Sequence, residues 1–440
     1  MAGIFKAYDI RGVYGTDLTE EVAYKIGRAF VTFTGCRNVA VGRDIRPHSE
    51  PLFAAFAKGA MEQGADVIDL GHVSTPISYF ANGTLKTDAS VMITASHNPA
   101  PWNGFKLCRA DAVPISGATG IQDIERIVRE ESFAPKAAVP GKLSSYDPVP
   151  GYVAHIRPFA HLARPVKIAV DFANGMGIWE AKSLEGILQW DALYGTPDGT
   201  FPNHEANPLH TDTLKELQEL VKGGAYDFGV AFDGDADRVG FVDEKGGIIT
   251  MDLTTALIAQ DVLSQRKGAI FYDLRSSKVV KEVIEANGGK AMMSRVGHAF
   301  IKQQMRENDA LFAGELSGHY YFKDNFTTES AALAVLHVAN MVSASGKTLS
   351  EMIAPLRKYS DSGEINTRVE GDTAKVLDAL KAKYADGHIF ELDGVSVEYP
   401  DWWFNVRCSN TEPLIRLNLE AATPEQMAAR RDEVLSVIRA

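Results

Sequence analysis

At 440 residues, 45% of them apolar and 23% charged, the chain has the make-up of a soluble globular protein too long for one core, so two to four domains are expected. A net charge of −12 argues against a nucleic-acid-binding surface, and no apolar run approaches the roughly 20 residues that a membrane span needs. Three scattered cysteines (Cys36, Cys108, Cys408) and a start without an apolar leader core predict a reduced, cytoplasmic protein.

In chain order, a first strand–helix–strand unit runs from residues 38–42 through a helix near 50–63 to a strand at 66–69. A second has a strand at 166–170, a turn at 174–177 and a helix near 179–188. A third pairs a strand at 269–273 with a helix near 277–286 and a strand at 291–294. Short apolar strands alternating with helical periodicity predict mixed or parallel sheets covered by helices. Three such units, roughly 100–130 residues apart, predict three similar mixed α/β domains. From residue 364 the order changes to strand, helix (373–383), three strands (395–399, 402–407, 414–420) and closing helix (424–439), a smaller C-terminal α+β domain. Stretches rich in Ser, Pro or Gly at 144–151 and 360–363 read as linkers, giving domains of 1–145, 146–246, 247–360 and 361–440.

Four segments carry chemistry. Residues 232–238, Phe-Asp-Gly-Asp-Ala-Asp-Arg, follow an apolar strand. Asp233, Asp235 and Asp237 would repel one another unless a cation sat among them, and an all-oxygen set suits Mg²⁺, Mn²⁺ or Ca²⁺ over zinc. The spacing with Glu244 also matches an EF-hand loop, but Arg238 stands where that loop needs glycine and the preceding segment reads as a strand. A solvated acidic turn is the plainer alternative. Residues 94–99, Thr-Ala-Ser-His-Asn-Pro, place Ser96 beyond another apolar strand as a candidate nucleophile, with Lys106 a little further on. Most Ser-His pairs are simple turn formers, and this loop lacks the glycines of a nucleophile elbow.

Residues 407–413, Arg-Cys-Ser-Asn-Thr-Glu-Pro, set Arg407 before Ser409, Asn410 and Thr411, with Arg416 behind. Guanidinium groups plus loop amides make a phosphate cradle, and a polar hairpin turn is the competing reading. In residues 314–319, Gly-Glu-Leu-Ser-Gly-His, the alternating Glu315, Ser317 and His319 would face one way on an extended loop and suit sugar hydroxyls, unless the segment is only a Gly-rich turn.

Together, in this order and with YDIRG at 8–12 and VGH at 296–298, these motifs resemble the α-D-phosphohexomutase superfamily, most closely its bacterial phosphomannomutase/phosphoglucomutase group. The likeness spans Tyr8 to Arg416. It implies three α/β domains and a smaller fourth around a central cleft. It also implies a phosphorylated Ser96 and Mg²⁺ held by Asp233, Asp235, Asp237 and the phosphoserine. Lys106 and Arg238 would stabilise the transferring group, with Arg11 and His298 near the reacting hydroxyl and His298 as general base. Arg407, Ser409, Asn410 and Thr411 would clamp the distal phosphate. Glu315 and Ser317 would bond sugar hydroxyls, with Tyr8, Arg275 and His319 lining the pocket.

The implied activity interconverts hexose 1-phosphates and 6-phosphates of mannose and glucose through a 1,6-bisphosphate that reorients in the cleft. Glucose 1,6-bisphosphate or mannose 1,6-bisphosphate would act as activator. The implied partners are hexose phosphates, with no nucleic acid or membrane, for a monomer or weak dimer. Two positions depart from the family pattern: residues 326–330 lack its acidic-plus-glycine signature, and Arg275 stands where lysine is common. The rivals are a phosphoglucosamine mutase, a metal-dependent glycosyltransferase using Asp-x-Asp, and an inactive sugar-phosphate-binding homologue.

Overall fold

In the computed structural model, which describes residues 3–369, 372–408 and 414–439, the chain builds four sheets in sequence order. In the first, Ala89–Ile93, Asn38–Arg43, Asp66–His72 and Leu143–Ser145 run parallel, and Trp102–Arg109 and Ile10–Val13 are added antiparallel at one side. The second repeats the plan. Phe228–Phe232, Lys167–Asp171 and Gln189–Leu193 are parallel, and Val239–Asp243 and Ile248–Ile249 extend the sheet antiparallel. The third repeats it again with Phe312–Gly314, Ala269–Asp273 and Lys290–Ser294 parallel, then Tyr320–Phe322 and Thr328–Glu329 antiparallel. Strands such as Ala89–Ile93 and Phe228–Phe232 are apolar along their length because helices cover both faces, so every residue in them is buried.

The repetition has a functional consequence. In each copy a parallel strand turns back into an antiparallel hairpin, and the three hairpin loops are those that hold Ser96, the aspartates and the Glu315–His319 segment. The neighbouring central strand also ends alike each time. Asp44, Asp171 and Asp273 each accept the backbone N–H two residues on, at 3.1, 2.8 and 2.8 Å. Such Asx turns fix the chain where it leaves the sheet.

One apolar core runs through the second and third sheets and takes in Met92 of the first sheet and Ile77 and Phe80 of the helix Thr75–Leu85. The C-terminal sheet, wholly antiparallel, has a core of its own around Leu380, Trp402, Phe404 and Leu417. The helices Thr373–Lys383 and Pro424–Ile438 belong to that domain. Among the described residues no helix is long and apolar enough to cross a membrane, and all three cysteines are free.

Three expectations need correction. The helix expected near 179–188 is only Gly177–Ala181. Ser183 Oγ bonds the Glu180 carbonyl at 2.6 Å and Gly186 turns the chain at φ +75°, which ends the helix before the next strand. The two expected linkers are partly drawn into sheets as edge strands, Leu143–Ser145 against Asp66–His72 and Ser360–Asp361 against Leu414–Ala421. The C-terminal domain also has a further edge strand, His388–Phe390.

Candidate active site

The serine loop is held from behind by one buried arginine. Arg46 donates through Nη2 to the carbonyls of Ser96 (2.9 Å) and Asn98 (2.7 Å), and through Nη1 to those of Pro99 (2.8 Å) and Trp102 (2.9 Å). Its Nε is anchored on Asp44 at 3.1 Å. With a longer bond to Ala100 at 3.4 Å, five backbone carbonyls turned toward one guanidinium fix the loop, and Ser96 sits in it at φ +51°. A non-glycine residue in this left-handed region stores about 1–2 kcal/mol of strain, which persists only where the surroundings impose it. Arg11 adds bonds to Ala95 O at 3.2 Å and to Asn98 Oδ1 at 2.5 Å.

The second hairpin loop packs directly on the first. A Cβ on Gly234 would lie 2.3 Å from the Ser96 carbonyl oxygen, so only glycine lets the loops approach. Ser96 Oγ donates to Asp233 Oδ2 at 2.8 Å and lies 3.2 Å from His97 Nδ1. Lys106 donates to Asp235 Oδ2 at 2.6 Å and to Asp237 Oδ2, and Thr75 Oγ1 donates to Asp235 Oδ2 at 2.5 Å. Arg238 Nε stands 3.9 Å from Asp233 Oδ2 and 4.0 Å from Asp237 Oδ1. Because the aspartates form a hairpin turn between two strands, the EF-hand alternative is excluded.

Asp233, Asp235 and Asp237 bring carboxylate oxygens within 4.8 Å of one another, all buried. Asp235 Oδ1 is buried with no hydrogen-bond partner among the described residues, and Asp237 Oδ1 has only His319 Nε2 at 3.3 Å and Arg238 Nε at 4.0 Å near it. Burial and the two neighbouring aspartates push the Asp233 carboxyl well up. Burial opposes the charge on Asp237, but Lys106 and His319 outweigh it and hold that carboxyl well down. Three converging buried carboxylates that oppose one another's charge, one with an oxygen free of hydrogen bonds, fit a cation set among them, so this triad can hold a metal ion.

The third loop closes the site. Residues 315–318 form a tight turn, with Gly318 N–H on the Glu315 carbonyl at 3.0 Å, so Glu315, Ser317 and His319 converge by turning and not by alternating along an extended strand. His319 Nδ1 is 2.8 Å from Ser317 Oγ and 3.2 Å from Glu315 Oε2, and its Nε2 is 3.3 Å from Asp237 Oδ1. Burial disfavours its charge, yet Asp237 and the bond to Glu315 push its pKa up to about 9. His298, at the start of the helix His298–Glu307, is the opposite case. Burial, then Lys302 and Lys106, hold it well below the usual histidine range, so it is a neutral imidazole. Glu315 itself accepts Gly297 N–H at 3.1 Å and the Tyr321 hydroxyl at 2.5 Å.

Tyr8 reaches across from the first domain to the Val296 carbonyl at 3.1 Å and makes an edge contact with His298, ring centroids 5.7 Å apart. Arg275, locked onto Asp273 at 2.7 Å, points toward the C-terminal domain, where Arg407 donates to Glu364 at 2.7 Å. Ser409, Asn410 and Thr411 lie outside the described residues. The three hairpin loops of the first three sheets are joined by contacts between Ser96 and Asp233 and between His319 and Asp237.

Sequence reasoning missed Arg46, Thr75, Glu329 and Glu364. Arg46 left a faint signal, a charged Arg43-Asp-Ile-Arg46 run straight after a buried strand. The others gave none, because their partners lie far away in sequence. Glu329 forms a buried pair with Lys302 at 2.8 Å and stands 3.9 Å from His298 Nδ1.

Family models describing the phosphoglucomutase/phosphomannomutase alpha/beta/alpha domains I, II and III match residues 2–135, 150–247 and 250–359, and the model of the C-terminal domain matches 364–437. The chain is 38% identical to a phosphomannomutase of Escherichia coli, covering 99% of each. It is 40% identical to a phosphomannomutase of Methanocaldococcus jannaschii, covering 99% of this chain and 97% of that one. A crystal structure of a phosphoglucomutase/phosphomannomutase family protein from Burkholderia thailandensis superposes with a TM-score of 0.91 at 33% identity, over 99% of this chain and 96% of the other.

Proposed function

The chain belongs to the phosphoglucomutase/phosphomannomutase family, and on that premise we propose that it interconverts the 1-phosphates and 6-phosphates of mannose and glucose by way of a phosphorylated Ser96. The observation that carries the reading is the contact between Ser96 and Asp233, a strained, buried hydroxyl aimed into a triad of carboxylates on a separate domain.

Asp233, Asp235 and Asp237, with an oxygen of phospho-Ser96, would hold Mg²⁺. When bound it would neutralise charge on the transferring phosphoryl group. Lys106 and Arg238 flank the same atoms and oppose that charge from two sides. In the first half-reaction the phosphorus–Oγ bond of phospho-Ser96 breaks, a bond forms to the free sugar hydroxyl, and the hydroxyl proton passes to a base. Neutral His298 is placed in that role because it has a free lone pair and lies in the cleft beside Tyr8 and Glu329. Arg11 supports the hydroxyl side. The product is the hexose 1,6-bisphosphate, which turns end for end and returns its other phosphate to Ser96.

Glu315 and Ser317, with His319, Tyr8 and Arg275, would hold the sugar. Arg407, Ser409, Asn410 and Thr411 would clamp the phosphate that is not reacting. Such positioning supplies about 7–11 kcal/mol of a transfer barrier. A separate core for the C-terminal domain suits a lid that closes over the bisphosphate. Glucose 1,6-bisphosphate or mannose 1,6-bisphosphate would restore dephosphorylated Ser96. The free thiols fit a cytoplasmic protein acting as a monomer or weak dimer on hexose phosphates alone.

The test is a coupled mutase assay on mannose 1-phosphate and glucose 1-phosphate, with Mg²⁺ and a trace of glucose 1,6-bisphosphate. Turnover of both sugars is expected, since contacts to the 3- and 4-hydroxyls read the C2 configuration poorly. No turnover of either would overturn the proposal, and activity confined to glucosamine phosphate would move it to the amino sugar.

A further inference from the structure

Arg407 and Arg416 stand directly opposite each other on the paired strands Trp402–Cys408 and Leu414–Ala421. Like charges in that cross-strand position repel. Arg275 approaches the same spot from the third domain. Arg275 is already paired with Asp273, and among the described residues one further carboxylate faces all three. Glu364 Oε2 accepts from Arg407 Nη2 at 2.7 Å and is 4.0 Å from Arg275 Nη1, and its Oε1 is 3.6 Å from Arg416 Nη1. Glu364 precedes the strand Ile365–Arg368, whose pairing with Leu414–Ala421 sets the carboxylate beside Arg416. Burial disfavours its charge, but Arg407 and then Arg275 hold it below the usual carboxylate range, so it is an anion.

Among the described residues, three guanidiniums with the carboxylates of Glu364 and of Asp273, which is bonded to Arg275, leave a residual charge of about +1, which attracts a phosphate monoester at roughly −1.5 to −2 near neutral pH. The Nε atoms of Arg407 and Arg416 are buried and have no hydrogen-bond partner among the described residues. The cluster therefore has donors to spare as well as charge. Without Glu364, Arg407 and Arg416 would meet a phosphate with their charge undiminished, and a tighter grip slows the release that the turn of the bisphosphate requires.

We propose that Glu364 is the resident counter-anion of the phosphate clamp: it aligns Arg275, Arg407 and Arg416 and lowers their combined charge, so that a phosphate is gripped for orientation yet released for the turn of the intermediate. This rests on the mutase reading of the clamp. Glu364 does not touch reacting atoms. It is a positioning residue that acts through the arginines.

The experiment compares wild type with Glu364→Gln, Glu364→Ala and Glu364→Asp, with Arg407→Ala setting the floor for loss of the clamp. Inorganic phosphate binding is measured by calorimetry, and kcat and KM for glucose 1-phosphate are measured separately. Removing the carboxylate charge should tighten phosphate binding about tenfold, lower KM and lower kcat, because release is slowed. Glu364→Asp keeps the charge and should stay near wild type in both. A merely structural role predicts the reverse, weaker phosphate binding and a raised KM as the arginines splay. That result, or phosphate binding unchanged in both neutral variants, overturns the proposal. Phosphate binding needs no turnover, so a wild type that binds phosphate but isomerises no hexose phosphate sinks the mutase reading and leaves the charge argument to stand or fall on the titration.

Discussion

The Ser96 hydroxyl donates to Asp233 Oδ2 at 2.8 Å across the seam between the first and second domains. The serine proposed to carry the phosphoryl group and the loop proposed to hold the metal thus meet only in the assembled protein. On the proposed mechanism, Ser96→Ala removes the phosphoryl carrier and leaves the proposed sugar contacts in place. It should lower kcat at least about a thousandfold while sugar-phosphate binding persists. Mass spectrometry after incubation with glucose 1,6-bisphosphate should show a phosphorylated wild type and an unmodified variant. A variant that keeps full turnover would exclude Ser96 as the carrier.

The buried triad of Asp233, Asp235 and Asp237, with Asp235 Oδ1 unpartnered among the described residues, predicts how the protein answers to metal. Chelation should abolish turnover, and Mg²⁺ should restore it. A cation that binds only the folded triad also stabilises the fold, by about 2.7 kcal/mol at a hundred times its Kd. Thermal unfolding should therefore shift upward with Mg²⁺ in the wild type and much less in Asp235→Asn. Equal shifts in both would place the ion elsewhere.

Arg46 carries a prediction about the loop rather than the chemistry. Its guanidinium serves five backbone carbonyls and Asp44 at once, a fork that lysine's single ammonium cannot reproduce. Arg46→Lys leaves several buried carbonyls unpartnered and should cost about 2–4 kcal/mol of stability. It should also lower kcat, since the left-handed Ser96 backbone relaxes. Urea unfolding and the mutase assay read the two effects, and a variant normal in both would show that the loop holds itself.

The pattern of what could be read in advance follows from locality. Buried strands announced themselves as apolar runs, and the chemistry of Ser96, the three aspartates and Arg407 sat in short motifs at strand ends. The resemblance supplied roles for residues such as Arg275 and Tyr8 that local chemistry alone does not mark. Edge strands were misjudged, because Leu143–Ser145 and Ser360–Asp361 are strands by virtue of the neighbour they pair with and not by their own composition. The turn at 315–318 escaped for a related reason, since its alternating polar residues suit an extended segment equally well. Arg46, Thr75 and Glu364 act through partners far away in sequence, so no spacing rule could reveal them.

Glu180 ties three domains together and makes their union depend on pH. Its carboxylate accepts Ser74 Oγ at 2.5 Å and the Tyr152 hydroxyl at 2.8 Å, and Tyr152 in turn meets Ser330 Oγ at 3.0 Å. Complete burial pushes its pKa up to about 7, with the hydrogen bonds from Ser74 and Tyr152 pulling the other way. The folded state therefore keeps its proton over a range in which the unfolded chain, near 4.5, has lost it. Below pH 4.5 the group contributes nothing to the pH dependence of stability. Between 4.5 and 7 it makes stability fall as pH rises, and above 7 the whole penalty, about 3 kcal/mol, is in place. Glu180→Gln keeps the shape and cannot ionise. Its stability relative to wild type, read from urea unfolding at pH 5 and pH 8, should improve by up to about 3 kcal/mol across that interval. Parallel curves for the two proteins would mean that Glu180 ionises freely in the fold, with water reaching the junction.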